Sequence, residues 1–295
     1  MQDRAASPPF IANCPIGCGP ALGTTDLMLP EGPLRSCPHC GQLVSSIDEA
    51  GYWKSMEEFD TEAGTRPEID AVPRRDRRAG KILDAVRAEL GDRTGPVSLL
   101  DVGCSSGVFM VAARARGFNV QGVEPAPRAA KSAEAAGFPV YCGTLEQAAF
   151  PDRSFDAITV LEVIEHLRDP VGLLRECRRI LKADGVLVIG TGNAGSLTVR
   201  VLGTDWDYLQ VRRHGGHVSF FSPRSIQVLA QKTGFAVARI RTRRVSLATP
   251  EAGRSLRYRS LKLVGELLSA WVAISGQGHD LLALLRPRNE QGNRS

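Results

Sequence analysis

At 295 residues, 43% hydrophobic and 23% charged, the chain has the make-up of a soluble folded protein with room for one large core and a small appendage. That composition excludes disordered, collagenous and coiled-coil architectures. The formal charge of +5 is local: residues 239–262 hold eight Lys/Arg against Glu251 alone, which argues against a nucleic-acid footprint spread over the molecule.

The first residues, with Pro8 and Pro9, lack the apolar run of a secretory signal, so a cytoplasmic location is expected. Cysteines in that setting read first as metal ligands or reactive thiols. Four of the seven fall in the first 40 residues, as Cys14-x3-Cys18 and Cys37-x2-Cys40. This is zinc-ribbon spacing, in which two pairs of thiolates converge on one tetrahedral ion and leave no open position, so the zinc is expected to be structural. His39 could replace Cys40 in the ligand set. Cys104 and Cys177 read as core filler.

Residues 1–45 are therefore read as the ribbon and 46–78 as a linker, closing on Pro73 and Arg74-Arg75-Asp76-Arg77-Arg78. Ile82, Leu83, Val86 and Leu90 recur at helical spacing over 79–90, which Gly91 ends. Strand and helix signals then alternate: strands at 97–101, 119–123, near 140, at 157–161, 185–191, 235–241 and 280–285, with helices at 108–116, 126–136, 170–181 and 222–233. That is the α/β pattern of a parallel sheet, here of seven strands, covered by helices on both faces.

The chemistry concentrates where the first of these strands ends, in Asp101-Val102-Gly103-Cys104-Ser105-Ser106-Gly107. A strand that breaks in a Gly-rich turn and restarts as a helix aims backbone N–H groups beyond its carboxyl end, where a nucleotide-like ligand belongs. The dinucleotide fingerprint Gly-x-Gly-x-x-Gly is not met, since Ser105 and Val108 stand at its second and third glycine positions. Glu124, 23 residues after Asp101, closes the second strand and could accept bonds from both hydroxyls of a ribose.

Together with Phe155-Asp156-Ala157-Ile158-Thr159-Val160-Leu161-Glu162-Val163-Ile164-Glu165-His166 and Leu181-Lys182-Ala183-Asp184-Gly185-Val186-Leu187, these segments resemble the successive motifs of class I S-adenosylmethionine-dependent methyltransferases over roughly 80–241. The resemblance implies a Rossmann-like, doubly wound sheet, here in a domain spanning 79–295. It also implies S-adenosylmethionine held by Asp101, Gly103, Ser105 and Gly107 at its methionine end and by Glu124 at the ribose. Thr144 and Leu145 would lie along the adenine, and Leu161 and Glu162 beside the sulfonium. Ser105 replaces a glycine found in many members.

In-line methyl transfer needs an aligned nucleophile and the exclusion of water, and a hydroxyl acceptor also needs a base. His166 and then His217 are the candidates, with Glu162 and Glu165 placed to orient a histidine or balance the cofactor's charge. Gly215-Gly216-His217-Val218-Ser219-Phe220-Phe221 resembles a substrate-facing stretch in family members that act on lipid, quinone or sugar acceptors. His214, Trp206 and Tyr208 share that loop. Near the C-terminus, 245–275 reads as a helical insertion whose first half carries Arg254, Arg257, Arg259 and Lys262. Its apolar residues follow at spacings of three and four, the pattern of a helix lying on an anionic membrane, or of a lid or subunit contact. Its longest apolar run, 267–274, is far short of the roughly 20 residues of a span.

Three functions stay open at this stage. One is methylation of a small-molecule, sugar, lipid-linked or quinone-like acceptor. Another is methylation of an RNA base, since a zinc ribbon ahead of this fold also resembles bacterial ribosomal RNA guanine methyltransferases. The third is non-catalytic binding of zinc and cofactor.

Overall fold

The computed structural model describes residues 7–59, 72–93, 95–211, 215–249 and 256–288. Its centre is a seven-stranded sheet of β4 (Val97–Val102), β5 (Phe118–Glu124), β6 (Val140–Cys142), β7 (Phe155–Leu161), β8 (Leu181–Gly192), β10 (Phe235–Arg243) and β11 (Asp280–Pro287). The order is β10-β11-β8-β7-β4-β5-β6. Strands β6, β5, β4, β7 and β8 run parallel, but the sheet is mixed rather than wholly parallel as expected: the chain enters β11 at Asp280, opposite the carboxyl end of β8 at Gly192, so β11 is inserted antiparallel between β8 and β10. The chain leaves β4 toward β5 and later returns to β7 on its other side, so the switch point lies at the carboxyl end of β4, where ligands of open α/β sheets bind. Six of the seven residues of β7 are buried, as a strand covered on both faces requires.

The expected strands and helices all form, with shifted ends. Strand β8 starts at Leu181 rather than 185, because Leu181 already pairs with Phe155. The expected linker holds one whole helix, α1 (Glu49–Phe59), and the first seven residues of a second, α2 (Val72–Leu90), which was expected from residue 79. Asp48 starts α1 by accepting the Gly51 N–H at 2.8 Å. Helix α2 begins seven residues before the apolar spacing does; Pro73 suits a first helical turn, and the charged run after it carries no apolar stripe to betray the helix. Residues 60–71 of the expected linker, His214, and Arg254 in the insertion lie outside the described residues.

Sheet strands are crossed by α3 (Val108–Arg114), α4 (Pro127–Ala135), α5 (Pro170–Ile180), α6 (Leu197–Leu202) and α7 (Pro223–Lys232). The last is started by a reciprocal cap between Ser222 and Ser225. The insertion is helix α8 (Leu256–Ile274).

The N-terminal module is a hairpin of β1 (Gly23–Leu29) and β2 (Gly32–Ser36) followed by β3 (Leu43–Val44). Its fourth strand comes from far along the chain: β9 (Ser219–Phe220) pairs antiparallel with β3, Leu43 opposite Phe220 and Val44 opposite Ser219. Cys14, Ile16, Cys37 and Cys40 belong to the same buried cluster as Phe221, Ile226 and Leu229. The ribbon is thus packed into the rest of the molecule.

Candidate active site

At the end of β4 the backbone turns through Gly103 (φ 72°), Ser105 (φ 48°) and Gly107 (φ 85°) into α3. A Cβ on Gly103 would collide with Val163, and one on Gly107 would sit 3.2 Å from Ala133, so both glycines are required by close approach as well as by φ. The Gly103 and Cys104 N–H groups donate to the Val123 carbonyl at 2.8 and 3.1 Å, which locks the turn to β5. Glu124 completes this lock. One carboxylate oxygen accepts the Ser105 N–H at 2.8 Å and the other the Ala126 N–H at 2.9 Å. Each oxygen has a further lone pair, so this grip on the turn is compatible with accepting ligand hydroxyls.

Beside it Asp101 is 3% exposed and accepts a 2.6 Å bond from the Thr159 hydroxyl. Burial pushes its carboxyl up to about 7, with the Thr159 bond opposing and the Glu124 charge adding. A cavity of about 220 Å³ lies between this turn, Leu161–Glu162 at the end of β7, and Arg78, Ile82 and Phe109. Glu162 adopts φ 54°, uncommon for a non-glycine residue, and donates its N–H to the Gly190 carbonyl at 2.8 Å. Its carboxylate pairs with Arg78 at 2.8 Å. Desolvation first and Glu165 second raise that carboxyl while Arg78 opposes, and the rise is tempered by solvent, to which 42% of the side chain is exposed.

Behind Glu162 lies a buried polar network. Glu165 is fully buried and accepts the Tyr208 hydroxyl at 2.6 Å and the Thr191 hydroxyl at 3.0 Å; the Gly192 N–H donates to the Tyr208 oxygen at 2.7 Å. Burial raises the Glu165 carboxyl, and burial and the two nearby glutamates raise the Tyr208 phenol. His217 Nδ1 lies 2.9 Å from the Tyr208 carbonyl. A carbonyl can only accept, so Nδ1 carries a proton and Nε2 faces Glu165, 3.9 Å away. The His166 ring meets His217 edge-on at 4.7 Å, and Trp206 stacks on Tyr208 at 4.9 Å.

Asp101, Gly103, Ser105, Leu161 and Glu162 therefore meet around one cavity, with Glu124 gripping its turn and Gly107 capping α3. His166 and His217 adjoin each other in the network behind. Thr144 and Leu145 sit apart, past β6. Thr144 is exposed and its N–H donates to Gln147 at 2.9 Å, while the Leu145 side chain is 2% exposed in the core. Arg78, Thr159 and Thr191 were not legible as site residues in the sequence. Only the pairing of strand ends and the unexpected first turns of α2 bring them in.

The thiols of Cys14, Cys18, Cys37 and Cys40 lie within 4.8 Å of one another. Cys14 and Cys40 Sγ are 3.7 Å apart, close to the edge of about 3.8 Å for a sulfur tetrahedron with zinc–sulfur bonds of about 2.3 Å. The four cysteines fit a zinc ion. His39 stands outside the cluster.

Fold and cavity define a Rossmann-like protein of the S-adenosylmethionine-dependent methyltransferase class: the strand order with one reversed strand, the glycine turn after β4 and the acid closing β5 occur together. Residues 74–240, more than half of the chain, match the model of the "Methyltransferase domain" family, and the chain belongs to that family. A ubiquinone biosynthesis O-methyltransferase of Actinobacillus pleuropneumoniae serotype 7 is 38% identical over 106 residues, covering 32% of this chain and 45% of that protein. One from Chromobacterium violaceum is 28% identical over 169 residues, covering 52% and 72%. The chain spans about half the length of the first curated relatives it matches. A solved S-adenosylmethionine-dependent methyltransferase of Thermotoga maritima superposes with a TM-score of 0.52 at 21% identity, covering 79% of this chain and 99% of that one. The PH0226 protein of Pyrococcus horikoshii gives 0.54 at 14%, with the same coverage. Among the described residues no helix is long and apolar enough to cross a membrane.

Proposed function

We propose that the protein transfers a methyl group from S-adenosylmethionine to a hydroxyl oxygen of a small apolar, quinone-like acceptor in the cytoplasm. The observation that carries this reading is the pair His166–His217 seated on the Glu165–Tyr208 network beside Glu162, at the strand end next to the cofactor cavity. The names of the curated relatives support it.

Bound S-adenosylmethionine supplies an electrophilic methyl group. Asp101 and the turn at Gly103, Ser105 and Gly107 would hold its methionine end, Glu124 its ribose, and Leu161 and Glu162 would border the sulfonium; exposed Thr144 would lie along the adenine, whereas Leu145, 2% exposed in the core, has no side-chain surface to offer it. Half-buried His166 takes the acceptor's proton. His217, its Nδ1 tethered to the Tyr208 carbonyl, would brace the His166 ring, and the Glu165 carboxylate, within 4.8 Å of both imidazoles, would stabilise the resulting cation. In this reading His166, His217 and Glu162 are the catalytic residues, and a zinc ion held by Cys14, Cys18, Cys37 and Cys40 would be structural.

Methyl-labelled cofactor incubated with separated lipid, RNA, protein and small-molecule fractions tests the acceptor. Label in the lipid or small-molecule fraction is expected, and uptake by RNA alone would replace this reading. His166→Ala should lower kcat by about 10²–10⁴ with cofactor affinity unchanged.

A further inference from the structure

Helix α8 touches the body of the protein along one narrow strip. Val272 is fully buried and its carbonyl accepts the Thr242 hydroxyl at 3.0 Å. A Cβ on Gly265 would lie 3.1 Å from the Val245 carbonyl oxygen, so the helix backbone lies against that segment. At about 100° per residue, Leu263, Val264, Leu267, Trp271 and Ile274 fall in a single arc on the far side. They are 58%, 43%, 74%, 49% and 90% exposed. Half of the exposed large apolar side chains among the described residues stand in this one stripe, which is a patch rather than the scatter normal for a surface.

The charge around the stripe selects what covers it. Residues 254–262 carry four cations and no acid, and Glu266 is the only acid of the helix. Twofold pairing of antiparallel α8 helices would lay the basic half of one along the apolar half of the other, burying cations opposite no carboxylate. An anionic bilayer meets both halves, with headgroups at the basic end and acyl chains at the apolar face. The placement also suits an apolar acceptor. Asn193, just beyond β8, holds the end of the insertion through bonds to the Gly276 and Gly278 carbonyls at 3.0 and 2.7 Å, and β8 ends in the residues that bond Tyr208. The stripe therefore rises from the same end of the sheet, the carboxyl end of β8, as the candidate active site.

We propose that α8 is a peripheral docking element that inserts its Leu263, Leu267, Trp271 and Ile274 face into the interface of an anionic membrane. Docking does not depend on which acceptor is methylated, and its test needs no turnover.

The full chain is sedimented with vesicles of phosphatidylcholine, with and without phosphatidylglycerol, at two salt concentrations. Binding is expected on the anionic vesicles only, weakening as salt rises. Leu267→Ser and Trp271→Ser should each weaken it about tenfold. Replacing Arg257, Arg259 and Lys262 by Glu should abolish the preference for anionic lipid. Trp271 emission should shift to the blue on vesicles, a change lost in Trp271→Phe, which provides a readout in otherwise unaltered protein. Equal binding to both vesicles, no binding to either, or a dimer in sedimentation velocity that Leu267→Ser dissociates would each overturn the proposal. The last result would assign the stripe to a second copy of the chain.

Discussion

If the four cysteines hold zinc, its loss should damage the acceptor side of the site and spare the cofactor side. Strand β3 holds β9 by backbone pairing, the Ser45 N–H donates to the Val218 carbonyl at 2.9 Å, and Tyr52 of α1 donates its hydroxyl to the His166 carbonyl at 3.0 Å. His217 directly precedes this held segment. With net values of about 1 kcal/mol per hydrogen bond and about 2 kcal/mol for the buried Phe220 ring, unpairing β9 forfeits about 4 kcal/mol of local order. That is enough to turn an ordered acceptor loop into a mostly open one. The turn at Gly103–Gly107 and its partners Glu124 and Thr159 are held by β5 and β7 instead.

Removal of zinc by a chelator, or Cys37→Ser, is therefore expected to lower kcat about 10–100-fold while the dissociation constant of S-adenosylhomocysteine stays within about threefold. Hydrogen exchange should show the amides of 217–220 losing protection and those of 101–107 keeping theirs, and zinc should restore both. Tyr52→Phe, a milder cut, should cost about fivefold in kcat. The reasoning fails if 217–220 stay protected once the metal is gone, or if cofactor binding and turnover fall together.

Glu124→Ala should weaken cofactor affinity by about 2–4 kcal/mol, because it removes charged acceptors for the ribose and releases the Ser105 turn; calorimetry returning an unchanged affinity in folded protein would take Glu124 out of the site. The raised Asp101 carboxyl predicts a pH dependence. Protonation below about pH 7 removes a negative charge that favours the cofactor's ammonium, so affinity should fall as pH drops through that range, and Asp101→Asn should flatten the profile. The same shift makes the empty protein gain stability from this group as pH falls from about 7, since the folded state holds the proton more tightly than the unfolded chain. Asp156, buried and bonded to Ser98, Arg93 and Lys182, has its carboxyl lowered, the cost of burial being outweighed by the Ser98 bonds and the Lys182 ammonium. It should contribute stability that is present above about pH 4 and lost as pH falls further, and Asp156→Ala should cost about 3 kcal/mol in a denaturant titration.

How far the sequence could be read depended on whether a feature leaves a local mark. Strands β4 and β7 are near-continuous apolar runs, and Asp101, Gly103 and Glu124 lie at strand ends, so spacing alone places them. The four cysteines form pairs at zinc-ribbon spacing, and the convergence that this spacing predicts is the one found. Helix α1 escapes because Tyr52 and Ser55 are buried while Trp53 between them is 54% exposed, a stripe too short to register as periodic. Arg78 escapes because an arginine in a charged run looks like solvent-facing linker until α2 carries it to Glu162. Pairing of β3 with β9 joins segments 177 residues apart, marked as for Gln42 and Ser219 by no local signal at either end.

The electrostatics of the site suit a ligand that carries positive charge. Asp101, Glu124, Glu162 and Glu165 gather at the carboxyl ends of three neighbouring strands and the turn beyond β7. Arg78 answers Glu162 directly, but the carboxyls of Asp101, Glu162 and Glu165 are all raised, burial being the largest cause in each. Such a surplus of acids destabilises an empty pocket. It becomes an asset when the ligand brings an ammonium and a sulfonium, because each cation offsets repulsion that the fold already carries. The left-handed backbone at Glu162 belongs to the same arrangement: it turns a carboxylate toward Arg78 at the cavity wall, while the following turn buries Glu165 beneath the two histidines. Two neighbouring acids are thereby set in different surroundings, Glu162 at the cavity wall against Arg78 and Glu165 buried on the Tyr208 hydroxyl and 3.9 Å from His217.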